Sequence, residues 1–163
     1  MEDGYAKSRP LITHEINFTE IHPRFERVRT YLEAKTLGVR LPARADIDPV
    51  ELPDVLAFIN LIDVIWSEPD PPRFKFRLLG TRQIRYAGGD FTGLWVDEAL
   101  SGSAAAAAVA MMRRVVLEQQ LVFGRFSLPV DGREFVITER LQFPLSANGT
   151  TVDMLLSVHN YPQ

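Results

Sequence analysis

The sequence contains no cysteine, which excludes disulfide bonds, thiol nucleophiles and cysteine-ligated metal centres. Its three histidines, His14, His22 and His159, form neither an HExxH pattern nor a close cluster, so no metal site is predicted. Long apolar runs are also missing, because the longest, Ala104 to Met112, is too short to cross a bilayer. The first ten residues are charged and polar and do not resemble a signal peptide. Together these absences predict a cytoplasmic protein that does not contact a membrane.

A strong excess of charge of either sign is absent as well. The net charge of −3 over 163 residues argues against non-specific binding to nucleic acid. Glycine-rich phosphate-binding patterns of the GxGxxG and P-loop types do not occur. With 46% hydrophobic and 24% charged residues, the composition is typical of one globular domain with an adequate core.

Hydrophobic periodicity and turn residues predict the order of the elements. In chain order we expect a helix over 23–36, strands over 58–66 and 73–80, short helices over 82–87 and 96–100, a helix over 103–119, and strands over 121–130, 133–145 and 150–160. The strand 58–66 is apolar on both faces, so it should be central and pair with the last strand. The turns at Asp131-Gly132 and Asn148-Gly149 should join the last three strands.

This order predicts an α+β fold, an antiparallel sheet of five strands with the inserted helices over one face as a lid. Residues 1–38 are expected to form a loose tail and a flanking helix outside the domain proper, and residues 39–163 to form the domain. The helix carries an apolar stripe of Phe25, Val28, Tyr31 and Leu32. The stripe can pack on its own domain, and it is also predicted to form the interface of a homodimer.

Four short motifs follow one another in the middle and last parts of the chain. They are LPARADIDP (Leu41 to Pro49), FRLLGT (Phe76 to Thr81), GGDFTG (Gly88 to Gly93) and ERLQFPLS (Glu139 to Ser146). In this order the sequence resembles the PAS domain, and more closely a small, often stand-alone PAS-like family common in alphaproteobacteria. The resemblance covers roughly residues 25 to 158. It implies a sensory or protein-interaction module of bacterial signalling, although a fold of this kind does not by itself give a function.

The same resemblance bears on cofactors. Some PAS domains hold haem through a histidine on the helix that faces the pocket, and this sequence has no histidine between Phe58 and Val158. Light-sensing flavin domains of similar fold need a cysteine, which is absent. No cofactor is therefore predicted.

What remains is a possible ligand pocket between sheet and lid. Its candidate lining residues are Phe76, Leu78, Ile84, Tyr86, Trp95, Met112, Phe123, Arg125, Phe135, Ile137 and Arg140. The alternative is that the apolar members simply fill the core. A buried arginine needs a partner, so Arg125 or Arg140 inside a cavity would mark an anionic ligand. Glu139 is not the obvious partner of Arg140, because adjacent residues of a strand face opposite sides.

The predicted function is that of a sensory or scaffolding module that binds an unknown small molecule and acts through a protein signalling partner. No catalytic residues are predicted, and the protein is expected not to be an enzyme. Two alternatives stay open. One is a small-molecule enzyme that uses Tyr86 and an arginine, and the other is a purely structural interaction protein with a filled core.

Overall fold

The structure is a computed structural model that describes residues 9–128, 130 and 132–162. The strands are β1 Leu11–Ile12, β2 Ile59–Ser67, β3 Asp70–Leu79, β4 Val122–Ser127, β5 Ile137–Leu145 and β6 Met154–Asn160. The α-helices are α1 Pro23–Thr36, α2 Thr81–Ala87, α3 Val96–Ala99 and α4 Gly102–Glu118. The strands form one antiparallel sheet in the order β1-β4-β5-β6-β2-β3. The α+β class is confirmed.

The sheet has six strands and not five, because Leu11 and Ile12 pair with Phe123 and Val122 at the outer edge of β4. Both residues are apolar and partly buried, so the edge of β4 offers them burial as well as backbone hydrogen bonds. The sequence predicts a loose tail over residues 1–20, in which Leu11 to Phe18 could also dock as an extended segment. Leu11 and Ile12 do dock, on β4, while residues 1–8 lie outside the described part of the chain.

Strand β2 lies inside the sheet, between β6 and β3, as its two apolar faces predicted. Ile59 and Leu61 pack into the core on one face of the sheet, and Ile62 and Val64 into the core on the other. The pairing with β3 shifts by one residue between Leu61 and Ile62, which is a β-bulge.

Helix α1 covers the face of the sheet opposite the other helices. Phe25 and Val28 are fully buried and Leu32 is 3% exposed, packed against residues of β4, β5 and β6. Tyr31 is partly buried, and its hydroxyl accepts a hydrogen bond from the backbone N–H of Asp48 at 2.9 Å. Three of the four residues of the predicted dimer interface are thus buried against the sheet of the same chain, and the interface itself stays a prediction. The helix was also expected to lie outside the domain proper, but it forms one layer of the core. The domain boundary at residue 38 stays a prediction.

Helices α2, α3 and α4 form the lid on the other face, over a second hydrophobic core. The connection from β4 to β5 is longer than the predicted hairpin, since β4 ends at Ser127 and β5 begins at Ile137. Asp131 of the predicted turn lies outside the described residues. In the chain as described, none of the helices has both the length and the apolar character needed to cross a membrane.

Candidate functional site

A small cavity lies between the sheet and the lid. Its volume is about 20 Å³, a little more than one water molecule requires. Its apolar lining includes Ile62, Phe76, Leu79, Phe91 and Met112. Its polar lining consists of Asn60 from β2, Gln83 from α2, Arg140 and Gln142 from β5, and Ser157 and His159 from β6. The cavity is therefore small, and one part of its wall is unusually polar for the interior of a domain.

The polar wall follows from the register of two adjacent strands. Arg140 is paired with His159 and Gln142 with Ser157 in the β5–β6 ladder. Because side chains alternate along a strand, these four side chains share one face, while Leu141 between them belongs to the α1 core. All four residues are less than 5% exposed. The register of β5 and β6 thus places four polar side chains together under the lid.

His159 is held by three hydrogen bonds. Its Nε2 atom lies 3.2 Å from Asn60 Nδ2 and 2.9 Å from Ser157 Oγ, and its Nδ1 atom lies 3.4 Å from Thr138 Oγ1. The Asn60 carbonyl oxygen accepts a hydrogen bond from the backbone N–H of Gly80 at 3.2 Å, which orients the amide. The Asn60 NH₂ group can then only donate to Nε2, so the ring proton is on Nδ1. Burial, and then the charge of Arg140, lower the pKa of His159 well below its usual value, and the imidazole is neutral.

Arg140 is the least satisfied group of the site. It is 4% exposed, and its guanidinium lies 4.8 Å from the centre of the Phe126 ring. Among the described residues it has no hydrogen-bond or ion-pair partner, and its Nε atom is fully buried. Burial lowers its pKa to about 10. Two further cavity residues, Gln83 and Gln142, each carry a buried side-chain oxygen without a protein partner.

Two tyrosine rings close one side of this cluster. Tyr86 of α2 stacks on Tyr161, which follows β6, with 3.9 Å between the ring centres. The Tyr161 ring is also parallel to that of His159, at 6.3 Å. Burial raises the pKa of Tyr161, so its phenol is neutral across the physiological range. The stack joins the lid to the strand that carries Ser157 and His159.

Of the eleven predicted pocket residues, Phe76, Met112 and Arg140 line the cavity. Ile84 packs against the same core without reaching the cavity, and Tyr86 forms the stack described above. The other six lie outside the cavity lining, contrary to the prediction.

Residues of β4 alternate in the opposite sense to the prediction. Phe123 faces α1 and meets Phe25 edge-on, with 5.4 Å between ring centres. Arg125 lies on the same side and forms an ion pair with Glu139. Position 123 is opposite Leu141 and position 125 opposite Glu139, both on the α1 side of β5.

The other four predicted residues lie outside the cavity for local reasons. Leu78 is 45% exposed because it pairs with Leu61, just before the bulge that reverses the alternation. Phe135 is 78% exposed in the β4–β5 connection, and Ile137 is half-buried at the first position of β5. Trp95 lies beside β3, where the guanidinium of Arg73 stacks on it at 4.1 Å.

The sequence prediction missed Asn60, Gln83, Gln142, Ser157 and His159. A signal for three of them is present in the sequence, since polar residues interrupt apolar strands at every second position, at 140 and 142 and at 157 and 159. Their common face became visible only with the register of β5 and β6. Nothing in the local pattern of α2 singles out Gln83.

Comparisons with known proteins place this fold. A search of curated proteins finds no match. Among solved structures, the chain is similar to the Rhodobacter sphaeroides LOV protein, with 14% identity, a TM-score of 0.48, and coverage of 87% of this chain and 69% of that one. It is also similar to a fungal LOV domain photoreceptor, with 16% identity, a TM-score of 0.48, and coverage of 87% and 92%. A family model described as PAS domain matches residues 21–158. The chain belongs to the PAS domain family.

Proposed function

We propose that the protein is a sensory module that holds a small ligand between its sheet and its lid and passes the signal to a protein partner. The observation that carries the proposal is the group of three cavity residues, Arg140, Gln83 and Gln142, each with a buried polar atom that no described protein group satisfies. Such atoms are costly unless a water or a ligand completes them. The PAS fold, which is a fold of sensing and signalling modules, fits this use.

The size of the cavity sets the size of the ligand. At about 20 Å³ it accepts a molecule of very few heavy atoms. A larger ligand requires α2 to move away from the sheet, and this would break the stack of Tyr86 on Tyr161. Binding of a larger ligand would therefore be linked to the position of the lid.

The surroundings of His159 favour a sensor over an enzyme. A general base needs a pKa near the working pH and, in most sites, a carboxylate that orients it. His159 instead lies between neutral hydroxyl and amide groups, close to a cation that lowers its pKa further. Tyr86, the proposed catalytic group of the alternative enzyme, is stacked against Tyr161. We therefore include in the proposal that the protein has no catalytic activity of its own.

The homodimer, the protein signalling partner and the cytoplasmic location belong to the same proposal. Since Phe25, Val28 and Leu32 are buried within one chain, a dimer must use another surface. Sedimentation at micromolar concentration tests it, and a monomer there would exclude the dimer. Deletion of residues 1–37 would not test the interface cleanly, because it would expose the core that α1 covers.

Mass spectrometry of freshly purified protein tests the ligand site. We expect added mass in the native spectrum that disappears on denaturation. Arg140→Met, which removes the unpaired donor of the cavity, should lose the added mass, while Val50→Ala, at an 84% exposed position, should keep it. If no mass is retained and no small polar compound raises the melting temperature, the ligand-binding proposal fails. If the bound compound is converted into one of different mass, the enzyme alternative is correct.

A further inference from the structure

We infer that the cavity binds one small monovalent anion, with Arg140 as the group that recognises it. This inference rests on the proposed function, because it names the chemical class of the ligand for the same cavity. Halide, nitrate and short carboxylates share the chemistry that the site requires, namely a single negative charge on a particle of four or fewer heavy atoms. The charge of Arg140 and the size of the cavity support this inference.

Among the residues that the structure describes, none compensates the charge of Arg140. It is the only charged residue among those that line the cavity in the described structure. Its neighbour in sequence, Glu139, points to the α1 side and is paired with Arg125. Asn160 also donates to Glu139, at 2.8 Å, so this carboxylate is satisfied where it lies. A buried cation without a counter-charge is strongly unfavourable, and a bound anion would remove most of that cost.

The neutral groups around Arg140 cannot take the place of an anion. Ser157 and Asn60 are committed to the Nε2 atom of His159, and Tyr161 is a neutral phenol. A water molecule in the cavity would accept a hydrogen bond from the Arg140 Nε–H and donate to the oxygens of Gln83 or Gln142. It would satisfy the hydrogen bonds and leave the charge uncompensated. A bound anion does the opposite, because it compensates the charge of Arg140 and offers no hydrogen to the Gln83 and Gln142 oxygens.

Size and charge narrow the class of anion. A cavity of about 20 Å³ excludes nucleotides, aromatic acids and sugar phosphates while the lid stays closed. One guanidinium balances one negative charge, so divalent phosphate or sulfate would itself be left with unpaired buried charge. The volume of the cavity matches a single-atom anion such as chloride most closely, and formate, nitrate and acetate fit less well as their size increases.

The experiment uses the full chain in a buffer whose own anion is a bulky sulfonate. Sodium chloride, nitrate, formate and acetate are titrated separately, with sodium gluconate as an anion too large for the closed cavity. The Arg140 Nε–H signal is followed by NMR and assigned by its absence in Arg140→Met. The matched control is Arg77→Met, which removes a surface arginine whose side chain is 63% exposed.

We expect at least one of the four anions to shift the Arg140 Nε–H signal and to raise the melting temperature by roughly 5 °C near 50-fold excess over the dissociation constant. Gluconate should do neither. Arg140→Met should lose the response, and Arg77→Met should keep it. Without anion, Arg140→Met should melt at or above the wild-type temperature, because it replaces an unpaired buried charge by an apolar chain. With saturating anion the order should reverse. The anion with the lowest dissociation constant identifies the chemical class of the ligand.

The inference is overturned if no anion moves the Arg140 signal and the two melting temperatures keep the same order in every salt. If the protein nevertheless retains a neutral ligand, the sensory proposal stands and only the anion is wrong. If it retains nothing and responds to nothing, both are wrong, and the cavity holds water.

Discussion

Phe25→Ala tests whether α1 belongs to the core of one chain or to an interface between chains. Phe25 is fully buried and meets Phe123 edge-on at 5.4 Å. Truncation of a buried phenylalanine typically costs about 3–5 kcal/mol of unfolding free energy, and the ring pair places this position in the upper half of that range. For a domain of this size the loss corresponds to a fall of roughly 8–20 °C in melting temperature.

Urea unfolding followed by the fluorescence of Trp66 and Trp95 measures the change. Val39→Ala is the control, since Val39 is 83% exposed in the loop after α1 and should change stability by less than ~0.5 kcal/mol. The loss in Phe25→Ala should be independent of protein concentration, because the contact lies within one chain. A loss below about 1 kcal/mol, or one that grows on dilution, would refute the packing described here.

Two further predictions concern the network around His159. Gly80→Ala should destabilise the protein by several kcal/mol, since the new Cβ would lie 2.5 Å from the backbone oxygen of Ala57. The control Gly89→Ala should have little effect, because its Cβ would lie 3.5 Å from the Phe91 ring. Equal melting temperatures of the two variants would count against the close approach at Gly80. The imidazole NMR signals of His159 should not change between pH 8 and 5.5, because its folded pKa is lowered. Only the unfolded state then binds a proton at this imidazole, so the free energy of unfolding should fall as pH drops below about 6.5, and it should fall less steeply in His159→Gln. An imidazole that titrates near its ordinary pKa would contradict the neutral state of His159.

The sequence predicted the elements well where one physical signal dominated. The bounds of α1 were correct at both ends, because Pro23 favours the first turn and the chain turns left-handed at Leu37, just before Gly38. The central position of β2 followed from its two apolar faces. The edge strand β1 could not be predicted with equal force, since two apolar residues carry almost no periodic signal and depend on a partner more than a hundred residues away.

The candidate site was harder to predict because its residues depend on register. One bulge, at Arg77 of β3, decides that Phe76 faces the cavity while Leu78 faces away from it. The register of β4 places Phe123 and Arg125 opposite Leu141 and Glu139, on the α1 face of the sheet. A predicted register that is wrong by one residue moves every β4 side chain to the other face of the sheet. Arg140 was predicted correctly as a cavity residue, whereas the neutral partners Gln142, Ser157 and Asn60 gave no reason to be singled out before they met in space.

A short segment lies along part of each outer edge of the sheet. Leu11 and Ile12 pair with the first two residues of β4, and the backbone of Gly93 and Leu94 bonds to Phe76 of β3. A partner strand that extends the sheet at either of these positions must first displace the segment there. The Leu11–Ile12 segment is held by two residue pairs. Exchange of this segment between two copies would give a domain-swapped pair that leaves the cavity and the α1 core intact.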